Sequence, residues 1–368
     1  MYKVIVLQGM EGLAQLEQDW RAITDACPNV PFYQRYEWYH AYLSCLEPQP
    51  DEVYFYLVKK DDDPVSIFPL KRKYINWHGL RLRVWATPRT DEIALSDFIA
   101  RDSDSIIAEF QYVIEKLNST KGLHFDGIFL RRVVEGGNAW ALINDDSVAR
   151  KISTHHSYSK YLECSTTVNE NEPGGSAKFR RNLRRLEKRL HTRGKVSWEL
   201  NVPQELCIEA LSLFMEVEAS GWKGKEGTKT AIKYNPRAKE FYLELLNSFG
   251  ALGRFRINLL KLDGHVIAGQ YCLMDDDKIN LLKIGYDQTY SDCSPGYLLI
   301  RNVFENGCES GEFDGLSFVT GADWNDVFQP LHKNVFIVTI LNNTIKGWLY
   351  FGYAKLKNFL KYKVLHHG

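Results

Sequence analysis

The strongest constraint on the fold is an order of secondary-structure elements that occurs twice along the chain. In the first half, three strand patterns, a helix pattern and a final strand pattern follow one another at residues 52–59, 65–73, 82–86, 103–117 and 124–130. The second half repeats this order at residues 254–261, 266–274, 279–286, 294–308 and 312–318. The copies are offset by roughly 190–200 residues, which favours a duplicated module over a single large sheet. The expected fold class is α/β (α+β), each module being a mixed sheet flanked by helices.

The boundary between the two copies falls in a polar and basic stretch near residues 148–154. We therefore expect an N-terminal domain at residues 1–152 and a second domain at residues 153–343. A basic amphipathic helix at residues 344–368 completes the chain. The length of 368 residues agrees with two domains of roughly 150 residues each.

Composition narrows the class of protein. Apolar residues make up 45% of the chain and charged residues 25%, which is typical of soluble globular proteins. No uncharged apolar run reaches about 18 residues, so the sequence predicts no membrane span. The first eight residues lack the apolar core and the cleavage site of a secretory signal. A cytoplasmic location is therefore expected.

The cysteines and histidines form no recognisable ligand pattern. The seven cysteines are scattered, odd in number and never spaced C-x-x-C, and the ten histidines include no H-E-x-x-H motif. We expect neither a disulfide framework nor a metal site. The nucleophile elbow of α/β-hydrolases, the Rossmann glycine turn and the P-loop signature are absent as well.

Two segments carry a strong excess of basic residues. Residues 178–195 hold nine Lys or Arg and one acidic residue, with an apolar stripe at helical spacing. Residues 345–363 combine aromatic and apolar residues with five lysines in a similar way. One interpretation is two surface helices that pack through their apolar stripes. The other is a polyanion site for phosphate groups, nucleic acid or an anionic membrane.

A Ser-Pro-Gly sequence at residues 294–296 opens the helix that follows strand 279–286. A serine N-cap, a proline at the first helical position and a neighbouring glycine leave backbone N–H groups uncovered. Those donors, together with the positive end of the helix dipole, suit a phosphate. Such sequences also begin helices that bind nothing, so the prediction depends on the neighbouring strands.

The strand before this helix contains a lysine in an apolar row. Strict alternation would place Ile279, Leu281, Lys283 and Gly285 on one face. A lysine in such a row is either solvated near the strand end or held against an anion. A glycine at 285 allows a ligand or another backbone to come close.

These motifs together resemble a known family. The second half is similar to the acyltransferase domain of CelD-like proteins in the GNAT superfamily, which are relatives of the Fem-type aminoacyl transferases. The matching segments are Phe179–Arg185, Gly221–Gly224, Asp263-Gly264 with Ile267–Gly269, Lys283–Asp287, Ser294–Gly296 and Phe313-Asp314. The first half matches more loosely through Pro31–Gln34 and Glu37-Trp38.

The resemblance implies two GNAT-like modules, of which the first is degenerate. It implies that acyl-CoA, with acetyl-CoA as the expected donor, lies between the splayed strands 279–286 and 312–318. The pyrophosphate would then lie at the following helix N-terminus. The donor-binding residues that it implies are Tyr286, Ser294, Gly296 and Tyr297.

The chemistry of acyl transfer suggests catalytic candidates. A backbone N–H of a splayed strand can stabilise the oxyanion, and a carboxylate can accept the proton of the attacking amine. Asp287 and Asp314 are the candidate carboxylates, and Lys283 could neutralise a phosphate, a carboxylate or the oxyanion. Each also has a structural alternative, because Asp287 could cap a turn and Asp314 could pair with an arginine.

The acceptor side is less constrained. Where relatives carry a Tyr-Lys pair after the last core strand, this chain has Asp-Trp-Asn-Asp at residues 323–326, which puts a lysine role there in doubt. Arginines of the basic helix and residues of a Gly-Lys loop either bind the acceptor or form ordinary surface. The candidate substrate-binding residues are Arg180, Arg181, Arg184, Trp222, Lys223 and Gln270.

Three functions remain open at this stage. The first is an acyl-CoA-dependent N-acyltransferase that acts on a small-molecule or glycan amine, such as an amino sugar or a cell-envelope precursor. The second is a Fem-type transferase that uses aminoacyl-tRNA, although a pI near 7.1 gives no global attraction to RNA. The third is a non-catalytic accessory protein of polysaccharide synthesis, with which the aromatic content of 13% is compatible. Peripheral membrane contact of the C-terminal helix is a further open partner.

Overall fold

The strands of both halves join in one mixed sheet that helices flank on both faces. The computed structural model describes residues 1–366 except 89–91, 93–94, 149, 165–174, 222–223 and 225–226, with backbone alone for 357–366. The described strands are β1 Tyr2–Gln8, β2 Val53–Lys60, β3 Asp63–Trp77, β4 Leu80–Ala86, β5 Ile99–Ala100, β6 Gly127–Val134, β7 Lys151–Glu163, β8 Val196–Glu199, β9 Phe255–Leu262, β10 His265–Met274, β11 Lys278–Tyr286, β12 Gly315–Ser317 and β13 Leu331–Leu341. The described helices are α1 Gly9–Thr24, α2 Tyr36–Ala41, α3 Ile106–Ser119, α4 Ala141–Asn144, α5 Ala177–His191, α6 Cys207–Ser220, α7 Pro236–Ala251, α8 Pro295–Ser310 and α9 Ile345–His366.

The order of the strands shows how the two halves interlock. It runs β1-β2-β3-β4-β6-β13-β7-β12-β11-β10-β9-β8, with β5 beside β3. The C-terminal strand β13 lies between β6 of the first half and β7, antiparallel to both. The predicted element order occurs in both halves, but the two modules share one large sheet, whereas the sequence favoured a duplicated module over such a sheet. The residue 152/153 boundary lies inside β7, so this strand and β13 join the halves.

Each half contains a parallel pair of strands at its centre. β4 pairs with β6 in the first half, and β11 pairs with β12 in the second. The other neighbours in each module are antiparallel. A parallel pair needs a crossover connection, and α3 and α8 provide these two crossovers.

The apolar core divides between the two faces of the sheet. Helices α1, α2, α6 and α7 pack together on one face, where Trp20, Tyr42, Phe214 and Phe241 are buried. On the other face, α5 and α8 cover the second half and α3 covers the first. The apolar cluster around Trp20 and Phe214 contains residues of both halves, so the α6–α7 side of the second module faces the α1–α2 side of the first.

Local sequence signals explain where several elements begin and end. Asp263 and Gly264 both have positive φ, 49° and 83°, which a two-residue turn between β9 and β10 requires. The Ser176 side chain accepts the Phe179 N–H at 3.2 Å and caps α5. Asn235 caps α7 in the same way, with Pro236 at the first helical position.

A second contact between the halves lies at the β10–β11 turn. Asp275 accepts the Phe32 N–H at 2.7 Å, and Asp276 pairs with Arg35 at 3.4 Å. Burial raises the pKa of Asp275 to about 7, against the effect of the hydrogen bonds it accepts. The loop around Phe32, which matched the family only loosely, therefore holds the two halves together.

One disulfide, between Cys164 and Cys308, occurs among the described residues. It links the end of β7 to the last turns of α8 over a separation of 144 residues. The sequence predicts no disulfide framework, and it gave no signal for this single bond. Within the described ranges, no group of three or more His, Cys, Asp or Glu residues is placed to hold a metal ion. No helix in that part of the chain has the length and apolar character needed to cross a membrane.

Candidate active site

β11 and β12 pair at their beginnings and separate towards their C-terminal ends. Their register runs from Lys278–Gly315 to Asn280–Ser317, after which β12 ends and β11 continues to Tyr286. Beyond Asn280, the edge of β11 that faces β12 has no further ladder partner in the described part of the chain. Backbone N–H groups on that edge are therefore available to a ligand.

A cavity of about 320 Å³ lies at this opening. Ile284 on its wall packs with the α8 side of the sheet, whereas Gly285 faces Glu218 of α6 on the other side. The cavity therefore reaches both faces of the sheet, so that two substrates can meet in it from opposite sides. The lining residues are Glu218, Gly221, Ile284, Gly285, Tyr286, Gln288, Ser291, Ser294, Gly296, Tyr297 and Trp324.

The first turn of α8 forms the end of the cavity on the α5–α8 face. Ser294 has a left-handed backbone with φ 50° and ψ 53°, and its side chain makes no capping hydrogen bond. Its carbonyl accepts the Tyr297 N–H at 3.0 Å, and its own N–H donates to Ser291. Of the three predicted donors at 294, 296 and 297, the Gly296 N–H is the one without an acceptor in the helix. This N–H and the helix dipole suit an anion.

Aromatic side chains form a wall beside this helix terminus. Tyr297 and Trp324 stack with ring centroids 6.4 Å apart, and the Tyr297 O–H donates to the Trp324 carbonyl at 2.9 Å. Burial raises the pKa of Tyr297, and the charge interaction with the nearby Tyr286 raises it further by a smaller amount. Tyr286 and Trp324 are 37% and 39% exposed, so their ring faces are accessible to a planar ligand group.

Glu218 is the acidic residue among those that line the cavity. It is 3% exposed, and its Oε2 accepts the Ile232 N–H at 2.9 Å. The sequence analysis missed it because α6 contributes no motif. A signal was available, since Glu218 continues the buried row of Leu211, Phe214 and Met215 at helical spacing. An acid in such a row is rarely buried without a reason.

Lys283 lies on the α6–α7 face because of a β-bulge. Tyr271 pairs with Lys283 and Cys272 pairs with Leu281, which leaves Leu282 as an extra residue. Leu281 packs with the α8 cluster and Leu282 with the opposite one. The expected single row through residues 279, 281, 283 and 285 was therefore wrong.

The partner of Lys283 comes from the first half of the chain. Its Nζ lies 2.8 Å from Oε2 of Glu92 and 5.5 Å from the ring centroid of Tyr242. The Tyr242 O–H donates to the same Glu92 oxygen at 2.6 Å. Both charged side chains are largely buried, at 24% and 16% exposure. The loop after β4 thus contributes to the side of the second module that carries Glu218.

The two aspartates predicted as bases lie far apart. Asp287 follows the C-terminal end of β11, and its side chain accepts the Thr289 N–H at 2.9 Å, which is the turn-capping alternative. Asp314 is exposed and precedes the N-terminal end of β12. Because the strands are parallel, the nine-residue β11 separates the two by roughly 30 Å. The cavity is at the Asp287 end, but neither aspartate lines it.

The predicted acceptor residues are distributed over several places. Arg181 and Arg184 are exposed on α5, and Arg180 donates to the Gly175 carbonyl at 2.5 Å. Since α5 packs on α8, these arginines lie on the α5–α8 face of the sheet rather than beside Glu218. Gln270 is fully buried and accepts from Asn258 at 3.4 Å, away from the cavity lining. Trp222 and Lys223 lie outside the described residues.

Comparisons with known proteins agree with this geometry. Residues 177–327 match the model of the acetyltransferase (GNAT) domain. The sequence has no significant match among curated proteins. Together with the sheet, the domain match identifies a GNAT-like fold, and the matched residues include all those that line the cavity described above.

Solved structures support the fold over most of the chain. FemX is similar with a TM-score of 0.58 and 12% identity, over 89% of this chain and 96% of FemX. L-PGS from Bacillus licheniformis has a TM-score of 0.53 and 11% identity, over 91% and 95%. The C-terminal domain of a protein named as a lysylphosphatidylglycerol synthetase from Agrobacterium fabrum has a TM-score of 0.53 and 11% identity, over 92% and 96%. These similarities concern the fold.

Proposed function

We propose that this protein is an N-acyltransferase that transfers an acyl group, with acetyl as the expected group, from acyl-CoA to an amine. The observation that carries the proposal is a cavity that reaches both faces of the sheet between β11 and β12. It has an anion-binding helix terminus on one face and a buried carboxylate on the other. The matching GNAT acetyltransferase domain supports the same reaction class.

The residues on the α8 side fit the donor. The Gly296 N–H and the α8 dipole would hold the pyrophosphate, and the absence of a side chain at 296 leaves room for it. A Cβ there would lie 3.4 Å from Tyr286 and 3.6 Å from Ile284, within the cavity wall. Tyr286 and Trp324 offer ring faces to the nucleotide or to the acyl arm.

The residues on the α6 side fit the acceptor. The amine nitrogen would attack the thioester carbonyl carbon and form a C–N bond while the C–S bond breaks. Glu218 would accept the proton of the attacking amine, and the thiolate leaving group would take up a proton as it departs. Free N–H groups on the edge of β11 would stabilise the oxyanion. Glu218 thus replaces Asp287 and Asp314 as the proposed base.

The acceptor that we propose is an amino sugar or a related cell-envelope precursor. This part of the proposal rests on the resemblance to CelD-like proteins, as does a role in polysaccharide biosynthesis. The test is release of free thiol from acetyl-CoA in the presence of a panel of amino sugars. Glu218→Gln preserves the shape of the side chain and is expected to lower kcat by about 10²–10⁴-fold.

A matched control lies on the same helix. Glu216 is exposed, pairs with Lys233 on the surface and does not line the cavity. Glu216→Gln should therefore retain the activity of the unmodified protein. Equal loss in both variants, or full activity of a folded Glu218→Gln variant, would show that Glu218 is not the base.

A second candidate function is transfer from aminoacyl-tRNA, which the resemblance to Fem-type transferases implies. The exposed arginines of α5 beside the α8 terminus could contact an RNA backbone. A salt-sensitive gel shift with aminoacyl-tRNA, together with absence of acetyl-CoA binding, would support this alternative. Binding of a glycan precursor without thiol release from any acyl-CoA would instead support the non-catalytic accessory role.

A further inference from the structure

Helix α9 is attached to the sheet of the first half through one of its faces. Tyr350 contacts Trp77 and Phe129, with ring centroids 5.1 Å and 5.9 Å apart. Gly347 is buried on the same face, where a Cβ would lie 2.5 Å from the Asn342 carbonyl oxygen. Ala354 is partly buried on that face too. Gly347, Tyr350 and Ala354 therefore lie on the face of α9 that contacts the protein.

The opposite face of α9 is apolar and exposed to solvent. Its large side chains are more than a third exposed, and Ile345 reaches 81%. At 3.6 residues per turn they occupy an arc of about 140°. Amphipathic helices of globular proteins turn such an arc towards the core, whereas α9 turns it outwards. The residues of this outer face are Ile345, Trp348, Leu349, Leu356 and, at its edge, Tyr353, whose ring also contacts the rings of Trp77 and His78 with centroids 5.3 Å and 5.0 Å apart.

Aromatic and basic residues are placed at the edges of this outer face. On the helical projection, Trp348 and Tyr353 lie at its two edges, with Lys355 beyond the first and Lys346 beyond the second. The guanidinium of Arg150 lies 4.9 Å above the Trp348 ring. Aromatic rings at the edge of an apolar face and lysines just outside it are typical of helices that lie in a membrane interface.

The C-terminal segment as a whole is positively charged, like the lysines at the edges of the outer face. Residues 327–368 contain six lysines and no acidic residue, although the complete chain has equal numbers of acidic and basic residues. A segment of this kind is attracted to an anionic surface and gains more from contact with anionic lipid than with neutral lipid. A protein partner would need a complementary acidic groove, whereas a lipid surface needs only the apolar and basic pattern present here.

We propose that the outer face of α9 binds the surface of an anionic lipid bilayer. The apolar side chains at its centre enter the boundary between head groups and acyl chains, and Lys355 contacts the head-group phosphates, whereas the Lys346 ammonium donates to the Arg81 carbonyl at 2.7 Å. The first half of the chain is thereby held at the membrane, while the cavity of the second half lies on separate elements. This inference does not depend on the acyltransferase proposal.

The test is sedimentation of the full chain with vesicles of phosphatidylcholine, with or without phosphatidylglycerol. We expect binding to the anionic vesicles that weakens as salt is raised. The double variant I345E/L349E changes two exposed residues, so folding should be retained, and binding should fall roughly tenfold or more. The matched control is Ile208→Glu, which alters an exposed isoleucine (61%) on α6 and should bind as the unmodified protein does.

Two outcomes would overturn the proposal. One is failure of the unmodified protein to sediment with anionic vesicles, or equal loss of binding in Ile208→Glu. The other is self-association of the unmodified protein that I345E/L349E abolishes, without any vesicle binding, which would assign the outer face to a second copy of the chain.

Discussion

Replacing Gly285 with alanine tests the close contact that forms the acceptor side of the cavity. A Cβ at this position would lie 2.5 Å from the Cα and 2.9 Å from the backbone nitrogen of Glu218. Ordinary contacts between carbon atoms are about 3.5–4.0 Å, so α6 must move away from β11 by roughly 1 Å. The Cα, Cβ and backbone nitrogen of Glu218 are fixed by the path of α6, so no side-chain rotation can relieve the contact.

The expected cost follows from this displacement. Overpacking of a well-packed contact costs about 1–3 kcal/mol, and the lower chain entropy of alanine in the unfolded state offsets about 0.4–1 kcal/mol. We therefore expect Gly285→Ala to lower the free energy of unfolding by about 1–2 kcal/mol. Since α6 carries Glu218, a shift of about 1 Å should also lower turnover by about 10²-fold.

The assay is urea unfolding, with turnover measured on the same samples. Gly296→Ala is the matched control, because a Cβ there meets its nearest side-chain atoms at 3.4 Å and 3.6 Å, which are ordinary contacts. It should be as stable as the unmodified protein. If Gly285→Ala unfolds at the same urea concentration as Gly296→Ala, then α6 and β11 are not in the close contact described above.

Three further results are expected. Glu92→Gln should lower the free energy of unfolding by about 1–2 kcal/mol, between the values for exposed and buried ion pairs. A double-mutant cycle with Lys283→Met should show coupling between the two residues, and zero coupling would mean that this ion pair does not join the halves. The pKa of Asp275 is about 7 in the folded protein, above the ordinary aspartate value, so its contribution to stability is complete below about pH 4 and is lost as the pH rises through 7. Asp275→Asn should therefore gain stability relative to the unmodified protein between pH 5 and pH 8 in urea titrations, and a difference that does not change with pH would contradict this. Cys164→Ser should lower the free energy of unfolding by about 2–4 kcal/mol under oxidising conditions and should have no such effect in reductant. If the variant is as stable as the unmodified protein under oxidising conditions too, Cys164 is not bonded to Cys308.

The sequence was sufficient to place the strand and the helix of the proposed donor site. The strand pattern at 279–286 and the Ser-Pro-Gly sequence at 294–296 are local signals, and β11 and α8 occur close to the predicted bounds. The turn at Asp263-Gly264 was equally local, because only residues that tolerate positive φ fit it. Patterns of this kind depend on a few neighbouring residues, which a single sequence contains.

The sequence was not sufficient to predict on which face of the sheet each side chain of β11 lies, or which strands pair with β13. A bulge at Leu282 reverses the face of every later residue of β11, and alternation alone cannot reveal one extra residue. Lys283 was therefore assigned to the wrong row. The pairing of β13 with both β6 and β7 was not predictable either, since these strands are far apart along the chain.

The acceptor side depends on contacts between distant segments. Glu218 reaches the cavity because Gly285 lets α6 approach β11, and Glu92 reaches Lys283 from the other half of the chain. Neither acid lies in a motif, and both acquire their positions from the packing of α6 and α7 against the first module. Asp287 and Asp314 were chosen for their nearness to motifs, but the parallel strands place them at opposite ends.

Titration calorimetry with acetyl-CoA tests the proposed donor site without any knowledge of the acceptor. We expect micromolar binding to the unmodified protein and loss of binding in Gly296→Glu, where a carboxylate would occupy the proposed anion site at the N-terminus of α8. Circular dichroism of the variant would establish that it is folded. Unchanged affinity of a folded Gly296→Glu variant, or no binding of any acyl-CoA to the unmodified protein, would contradict the donor site.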